Sequence, residues 1–324
     1  MKNPFVRFIV FVLVIIGLVS TVKWVSNKVS DKEEETSLLV SKNNILQLDL
    51  EGVIMNGKKF LKKLKKYKDE DKIKAIVINI NSPGGAVGPS QEIYEAIKAV
   101  KAETKKPIIC SSSGLLASGA YYSAVACDKI VVAPGALVGS IGVIMEFANL
   151  EKLYDWAKIS RYSINSGKFK DSGAEYRAMR PDEKALFQDL INDVYGQFKQ
   201  AVVDGRKMKV EVVSQYADGR VMTGKQAVAL GFADSLGTLD DAVKVAAEAA
   251  GLGKDYKLFE APKKKPSFWD LIEQQEDDDL NSVDEAAGFF TRHGADKAVE
   301  HSIRKILRMQ GLNQPMLIMP GYWE

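Results

Sequence analysis

The sequence predicts an α/β domain built on a mostly parallel sheet, and three observations carry that prediction. Residues 73–80, Ile73-Lys74-Ala75-Ile76-Val77-Ile78-Asn79-Ile80, form a run rich in Ile and Val, as strands covered on both faces do. Strand-like runs alternate with helical spacing in units of about 35 residues, the rhythm of strand–helix–strand connections. The breaks between them carry glycine, proline, asparagine or serine, most clearly at Asn81-Ser82-Pro83-Gly84-Gly85.

Taken in order, Ile45-Leu46-Gln47-Leu48-Asp49-Leu50 alternates and predicts the first strand. Residues 60–68 predict a Lys-rich amphipathic helix. After the strand at 73–80, the helical spacing of Ile93, Ile97 and Val100 predicts a helix over 91–104. Residues 107–110 read as a short strand, 116–126 as a helix rich in small residues, and 129–132 as a further strand. Residues 181–206 predict a long helix opening on Pro181, with Asp182 and Glu183 in its first turn, where carboxylates suit the dipole. Two or three shorter helices follow to about residue 251, and no internal repeat is visible.

Beyond residue 254 the composition shifts. Lys263-Lys264-Lys265-Pro266 and Glu276-Asp277-Asp278-Asp279 read as solvated charge runs, and residues 296–309 as another helix. The last ten residues, 315–324, are apolar enough that they should dock rather than remain in water.

At the other end, residues 8–22 carry no charge, and Trp24 and Val25 prolong the apolar stretch past Lys23. Lys2 and Arg7 precede it, which is the pattern of a secretion or anchoring signal. With no evident small-x-small cleavage site, residues 8–25 are expected to be an uncleaved single-pass anchor, a cleaved signal peptide being the alternative. Lys23 would snorkel and Trp24 would sit at the interface. The positive-inside rule places residues 1–7 in the cytoplasm, although Lys23 and Lys28 weaken the asymmetry. Residues 26–44 then form a charged tether, 45–254 the main domain and 255–324 a C-terminal extension.

Composition prunes the chemistry. Hydrophobic residues at 46% and charged residues at 27% are globular values, and a net charge of +3 gives no reason to expect a nucleic-acid partner. Cys110 and Cys127 are the whole cysteine supply, so a disulfide scaffold or Cys-rich metal site is excluded. They are expected to be buried free thiols, although their spacing leaves a bridge open. His293 and His301 are the only histidines, so a Ser-His-Asp triad would need one of them to fold back from the tail. HExxH, GxGxxG and the P-loop pattern are missing, and no metal, nucleotide or other cofactor is expected.

What remains is a set of glycine-flanked serines at strand–helix junctions, plus lysines. In Ala117-Ser118-Gly119-Ala120-Tyr121-Tyr122, Ser118 stands where the strand at 107–110 and its turn lead into an apolar helix. Unpaired N–H groups at a helix start can stabilise an oxyanion, and Gly114, Ala117, Gly119 and Ala120 let a substrate backbone approach. An N-cap serine would look the same. Ser82-Pro83-Gly84-Gly85 can present glycine N–H groups at the carboxyl end of the sheet, where open α/β sheets bind ligands; so would an ordinary turn. Gly139-Ser140-Ile141-Gly142-Val143 is another glycine-framed serine, and Ser166-Gly167-Lys168-Phe169-Lys170-Asp171 supplies lysines. A lysine can take a proton from serine only as a neutral amine, which burial in a water-poor site permits.

These four elements, in this order, resemble the signal peptide peptidase A (SppA) family, membrane-anchored Ser-Lys proteases of the ClpP/crotonase-like superfamily. The resemblance covers about residues 44–250, with Ala126-Cys127-Asp128-Lys129-Ile130, Asp218-Gly219-Arg220-Val221 and the helix at 224–230 also in register. It implies a repeated ββα core with a mostly parallel sheet, preceded by one transmembrane helix. It implies Ser118 as nucleophile and Lys170, 52 residues later, as general base in preference to Lys168. Gly85 and Gly119 become oxyanion donors with Gly84 as a further member, and Ser140 orients the lysine. Leu116 and Val143 are expected to shape the substrate groove. Ala120 departs from the family, which commonly has a second glycine there, and Leu115-Leu116 adds bulk that could narrow the groove.

The resemblance further implies apolar peptides, such as signal-peptide remnants, as substrates. It implies a ring-like homo-oligomer whose neighbouring subunits share active sites, set in the bacterial inner membrane with the catalytic domain on the periplasmic side. Some members place their own tail in the groove, so residues 316–319 are expected to dock there. A stomatin-partner type of Ser-Lys membrane protease, a crotonase-type acyl-CoA enzyme and a non-catalytic membrane scaffold are the competing readings.

Overall fold

The computed structural model describes residues 43–261 and 315–319. In chain order its elements are β1 (Asn44–Glu51), α1 (Lys58–Tyr67), β2 (Ile73–Asn81), β3 (Gly84–Ala86), α2 (Val87–Thr104), β4 (Ile108–Ser112), β5 (Leu115–Ala117) and α3 (Gly119–Ala124). They continue with β6 (Lys129–Val132), β7 (Leu137–Gly139), α4 (Glu151–Trp156), α5 (Pro181–Arg206), α6 (Val210–Tyr216), β8 (Val221–Thr223) and α7 (Gly224–Ala229). Last come β9 (Ser235–Leu236), α8 (Leu239–Ala249), β10 (Lys257–Glu260) and β11 (Met316–Ile318).

The main sheet has the order β10-β1-β2-β4-β6-β9, and every neighbouring pair in it is parallel. Both faces are covered, as the near-continuous apolar run of β2 leads one to expect. Leu46, Ile76, Ile78, Ile108 and Ile130 pack against Leu64 of α1, Ile93 and Ile97 of α2 and Tyr121 of α3. Ile45, Val77, Ile109 and Val131 on the reverse face meet Ala242 and Ala246 of α8. Two small sheets stand at the carboxyl end of the main one: β5-β7-β8, and β3 with β11.

Two boundaries differ from the sequence reading in ways that matter for the site. The helix expected over 116–126 is divided, because Leu115–Ala117 pair in parallel with β7 and the helix starts only at Gly119. Small residues tolerate either state, and the deciding partner lies some 20 residues away in sequence. The helix expected from residue 91 begins at Val87, with Pro89 in its first turn, where no intrahelical N–H is lost.

The expectation of free thiols is corrected: Cys110 and Cys127 are bridged. Asp128 N donates to Ile108 O (2.7 Å), which lays the exit of α3 beside β4 and brings the two Cα atoms to 6.0 Å, within bridging range. The proposed anchor at 8–25, the charge runs and the helix at 296–309 lie outside the described residues. Among the described residues, no helix is long and apolar enough to cross a membrane.

Candidate active site

The carboxyl end of β2 builds the first wall. Asn81 Oδ1 accepts from Leu115 N (3.1 Å), Ser82 N donates to Leu115 O (2.9 Å), and Ala117 N donates to Ser82 O (3.2 Å). The glycine turn is thereby fastened to the strand that precedes Ser118. One edge of β3 is taken by Ile54, whose N–H donates to Gly84 O (2.9 Å) and whose carbonyl accepts from Ala86 N (2.8 Å). Gly84 has φ +95°, a left-handed conformation that favours glycine. Its N–H is engaged by Ser82 Oγ at 3.2 Å, so Gly84 serves the pocket through its missing side chain rather than as a free donor.

Ser118 and Ser140 are neighbours across the parallel pair β5–β7, each following a strand whose last residues, Ala117 and Gly139, face each other. Both serines have positive φ, 52° and 50°. Such conformations cost about 1–3 kcal/mol each and persist only where the surroundings enforce them. Here Ser118 N donates to Gly139 O (2.7 Å) and Ser140 N to Arg220 O (2.9 Å). The Ser118 hydroxyl is buried with no hydrogen-bond partner among the described residues. Leaving a buried hydroxyl unsatisfied costs about 1–3 kcal/mol, so this is a group waiting for a partner. Helix α3 spans only six residues, so the local N–H groups, rather than a helix dipole, supply any anion stabilisation.

The apolar tail occupies this site. β11 pairs antiparallel with β3, Leu317 opposite Gly85, and on its other side Met316 exchanges both backbone hydrogen bonds with Ile144 (2.9 and 3.0 Å). Val87 N donates to Pro315 O (3.4 Å) and Met319 N to Pro83 O (2.8 Å). Between these bonds, Leu317 and Gly85 form the hydrogen-bonded pair of the ladder. A Cβ at Gly84 would lie 2.0 Å from the Leu317 carbonyl oxygen and 2.6 Å from Gly119 N; one at Gly119 would lie 3.0 Å from that same oxygen. A peptide carbonyl therefore sits between Gly84, Gly85 and Gly119, next to Ser118.

The structure thus brings together Ser118, Gly119, Gly84, Gly85 and Ser140. Leu116 and Val143 both pack into the apolar cluster that receives Leu317, Leu116 wholly buried and Val143 partly so. Lys170 is not brought in: it lies in an exposed segment, and the Ser118 hydroxyl has no partner among the described residues. Lys168 is committed elsewhere, its Nζ 2.7 Å from Asp182 Oδ2. Sequence reasoning missed Ile54 and Ile144, the backbone partners of β3 and of the tail. It also missed Ser90 and Ser123 beneath Gly119, where Ser123 Oγ donates to Gly119 O (3.0 Å). Only the apolar character of Ile54 and Ile144 was available as a signal. No cluster of His, Cys, Asp and Glu able to hold a metal occurs among the described residues.

The sequence model of peptidase family S49 matches residues 100–253, and that of Clp protease matches residues 34–136. A provisionally named protease of Synechocystis is 40% identical over 66% of this chain and 77% of its own length. A provisionally named signal peptide peptidase SppA of Enterococcus faecium is 30% identical over 73% of this chain and 70% of its own. The chain belongs to the SppA family of proteases, peptidase family S49. The chloroplastic serine protease SPPA of Arabidopsis thaliana is 35% identical over 69% of this SppA-family chain, which spans only 33% of that larger protein. Ser118, Ser140 and Lys170 fall within the S49 match, while Gly84 and Gly85 fall within the Clp protease match, which also includes Ser118. The parallel α/β architecture fits the Clp-like fold, and the SppA-family chain is a serine-type protease.

Proposed function

We propose that this protein is a membrane-anchored Ser-Lys endopeptidase that degrades apolar peptides, such as cleaved signal peptides, on the periplasmic side of the bacterial inner membrane. The observation that carries this reading is the buried Ser118 hydroxyl, without a partner among the described residues, beside a glycine-lined pocket that holds a peptide carbonyl. In the reaction, Ser118 Oγ attacks the substrate carbonyl carbon while neutral Lys170 takes its proton. The tetrahedral oxyanion is held by the Gly85 and Gly119 N–H groups, and Ser140 orients the lysine amine. Collapse passes the proton from Lys170 to the leaving amine, and water, deprotonated by the same lysine, releases the acyl group.

Lys170 reaches Ser118 from a neighbouring subunit in this reading. The segment around it supports assembly: Trp156, Tyr162 and Ile164 are 81, 80 and 94% exposed in the single chain, more than an apolar surface in water favours. The Cys110–Cys127 bridge supports an oxidising compartment, and the apolar residues 8–25 support a single-pass anchor. The docked tail supports self-inhibition, since it fills the groove as an extended substrate would.

The test is peptide turnover by wild type, Ser118→Ala, Lys170→Ala and an equimolar reassembled mixture of the two variants. Each variant alone should be inactive, and the mixture should recover activity because some sites then combine an intact serine with an intact lysine from different subunits. Lys168→Ala should keep most activity. Turnover by Ser118→Ala or Lys170→Ala alone would refute the dyad, and a silent mixture would refute the sharing between subunits.

A further inference from the structure

We propose that Arg177 and Glu183 are positioning residues for the base, fixing the backbone on either side of Lys170 and keeping its neighbouring carboxylates paired. This rests on the reading of Lys170 as the general base. Glu183 is fully buried in the first turn of α5. Its carboxylate accepts from Arg177 Nη1 and Nη2 (2.9 and 2.6 Å) and from the Arg180 backbone N–H (2.9 Å), and forms an ion pair with Arg180 Nη2 (2.8 Å). The two arginines held in this way reach back to the lysine segment. Arg180 Nη2 donates to Lys168 O (2.8 Å) and Arg177 Nη2 donates to Asp171 O (3.1 Å). Residues 169 and 170 are thus carried between two clamped carbonyls, with Lys170 N donating to Gly167 O (3.1 Å) to close the turn.

The same cluster controls charge. Asp171, adjoining the lysine, would favour its ammonium form if left alone, and a base must shed that charge. Arg177 takes up the Asp171 carboxylate at 3.0–3.2 Å, joined by the Tyr176 hydroxyl (3.3 Å), and Lys168 with Arg180 takes up Asp182 (2.7 and 3.2 Å). These partners hold the Asp171, Asp182 and Glu183 carboxyls below the usual carboxylate range, so they remain ionised and paired at working pH. Beyond them, Arg161 is paired with Glu175. Starting α5 does not require such an arrangement. A Ser, Thr or Asp cap would satisfy the helix, whereas a buried carboxylate with two arginines carries a desolvation cost. The clamp on the lysine segment is what the cap alone would not provide.

The experiment measures kcat and KM for peptide turnover across pH in the full-length protein for Arg177→Gln, Arg177→Lys, Glu183→Gln and Asp171→Asn, with thermal melting of each. Lys170→Ala is run in parallel. Arg177→Gln and Glu183→Gln should lower kcat at neutral pH about tenfold or more with little change in KM. In Arg177→Gln the freed Asp171 should move the acid limb of the kcat profile to higher pH, and Arg177→Lys should recover part of the loss. Asp171→Asn leaves the Glu183 bonds intact, so it should fold, and the unneutralised Arg177 beside the lysine should move the limb to lower pH. Limbs unmoved in both Arg177→Gln and Asp171→Asn, or losses that merely track the folded fraction, would overturn the proposal. Activity in Lys170→Ala would overturn the base assignment itself. An inactive Lys170→Ala beside normal Arg177→Gln and Glu183→Gln would overturn the positioning role alone.

Discussion

Replacing Leu317 with alanine asks whether the tail restrains turnover, and the docked geometry sets the size of the effect. Met316, Leu317 and Ile318 are buried, which is worth about 1.5–3 kcal/mol for each side chain. Six backbone hydrogen bonds, to Val87, to Pro83, twice to Ile144 and twice to Gly85, add about 1 kcal/mol each. Against this, ordering residues 315–319 costs roughly 1–2 kcal/mol per residue. The balance leaves docking favourable by about 5 kcal/mol, so the open groove is populated at well under about 1%. Leu317→Ala removes about 2–3 kcal/mol of that, at the low end for a buried leucine because the tail can relax. For an apolar fluorogenic peptide supplied below its KM, kcat/KM should then rise about 10- to 100-fold, and a chain ending at residue 310 should rise at least as much. If both variants stay within about twofold of wild type while remaining folded and assembled, the tail does not restrain the enzyme and the energetic reasoning fails.

Two further expectations concern stability. The Cys110–Cys127 bridge closes a loop that contains Ser118 and all of α3, with a sequence separation of 17 residues. The double variant Cys110→Ser, Cys127→Ser should lose about 3 kcal/mol in chemical denaturation, and alkylation of unreduced wild type should find no free thiol; two labelled cysteines would remove the bridge from the argument. Acid should weaken the fold through Glu183, whose carboxyl is lowered from 4.5 to about 2, mainly by its hydrogen bonds with Arg177. A depressed carboxyl contributes fully above its unfolded value and loses that contribution as pH falls from about 4.5 toward 2. Denaturation midpoints between pH 6 and 2.5 should therefore fall less steeply for Glu183→Gln than for wild type, with Asp218 and Asp241 accounting for part of the remaining slope.

The strands of the main sheet were legible because their burial is written in composition: β2, β4 and β6 are short apolar runs bounded by polar or glycine breaks. The start of α5 was legible, since Pro181 opens it with two carboxylates in the first turn. The small strands around Ser118 were not. β5, β7 and β8 have three residues each and exist through pairing across long sequence distances, which no local period encodes. The glycines and serines of the pocket stood out as motifs, but a positive φ at Ser118 and Ser140 is a property of the β5–β7 register and left no mark in either segment. The tail was expected to dock because it is apolar; the register that puts Leu317 opposite Gly85 depends on the free edge of β3, which only the fold defines.

The single chain also explains why the two halves of the proposed dyad are built so differently. Ser118 is held by strand pairing on one side and by α3 on the other, in a conformation with no local reason to exist, and its hydroxyl is buried with no partner among the described residues. Lys170 is on a turn that is clamped at its backbone yet open to water at its side chain. Each half lacks what the other would bring: among the described residues the Ser118 hydroxyl has no acceptor, and Lys170 has no serine beside it. On the proposed reading the base of each site comes from a neighbouring subunit, so a free subunit is inert even with its tail withdrawn. Turnover then needs two independent events, burial of the lysine by a neighbouring subunit and displacement of β11 from β3. The first acts on the chemical step and the second on access to the groove. Loss of the tail should therefore change kcat/KM without moving the pH profile, whereas weakening the assembly should move both together.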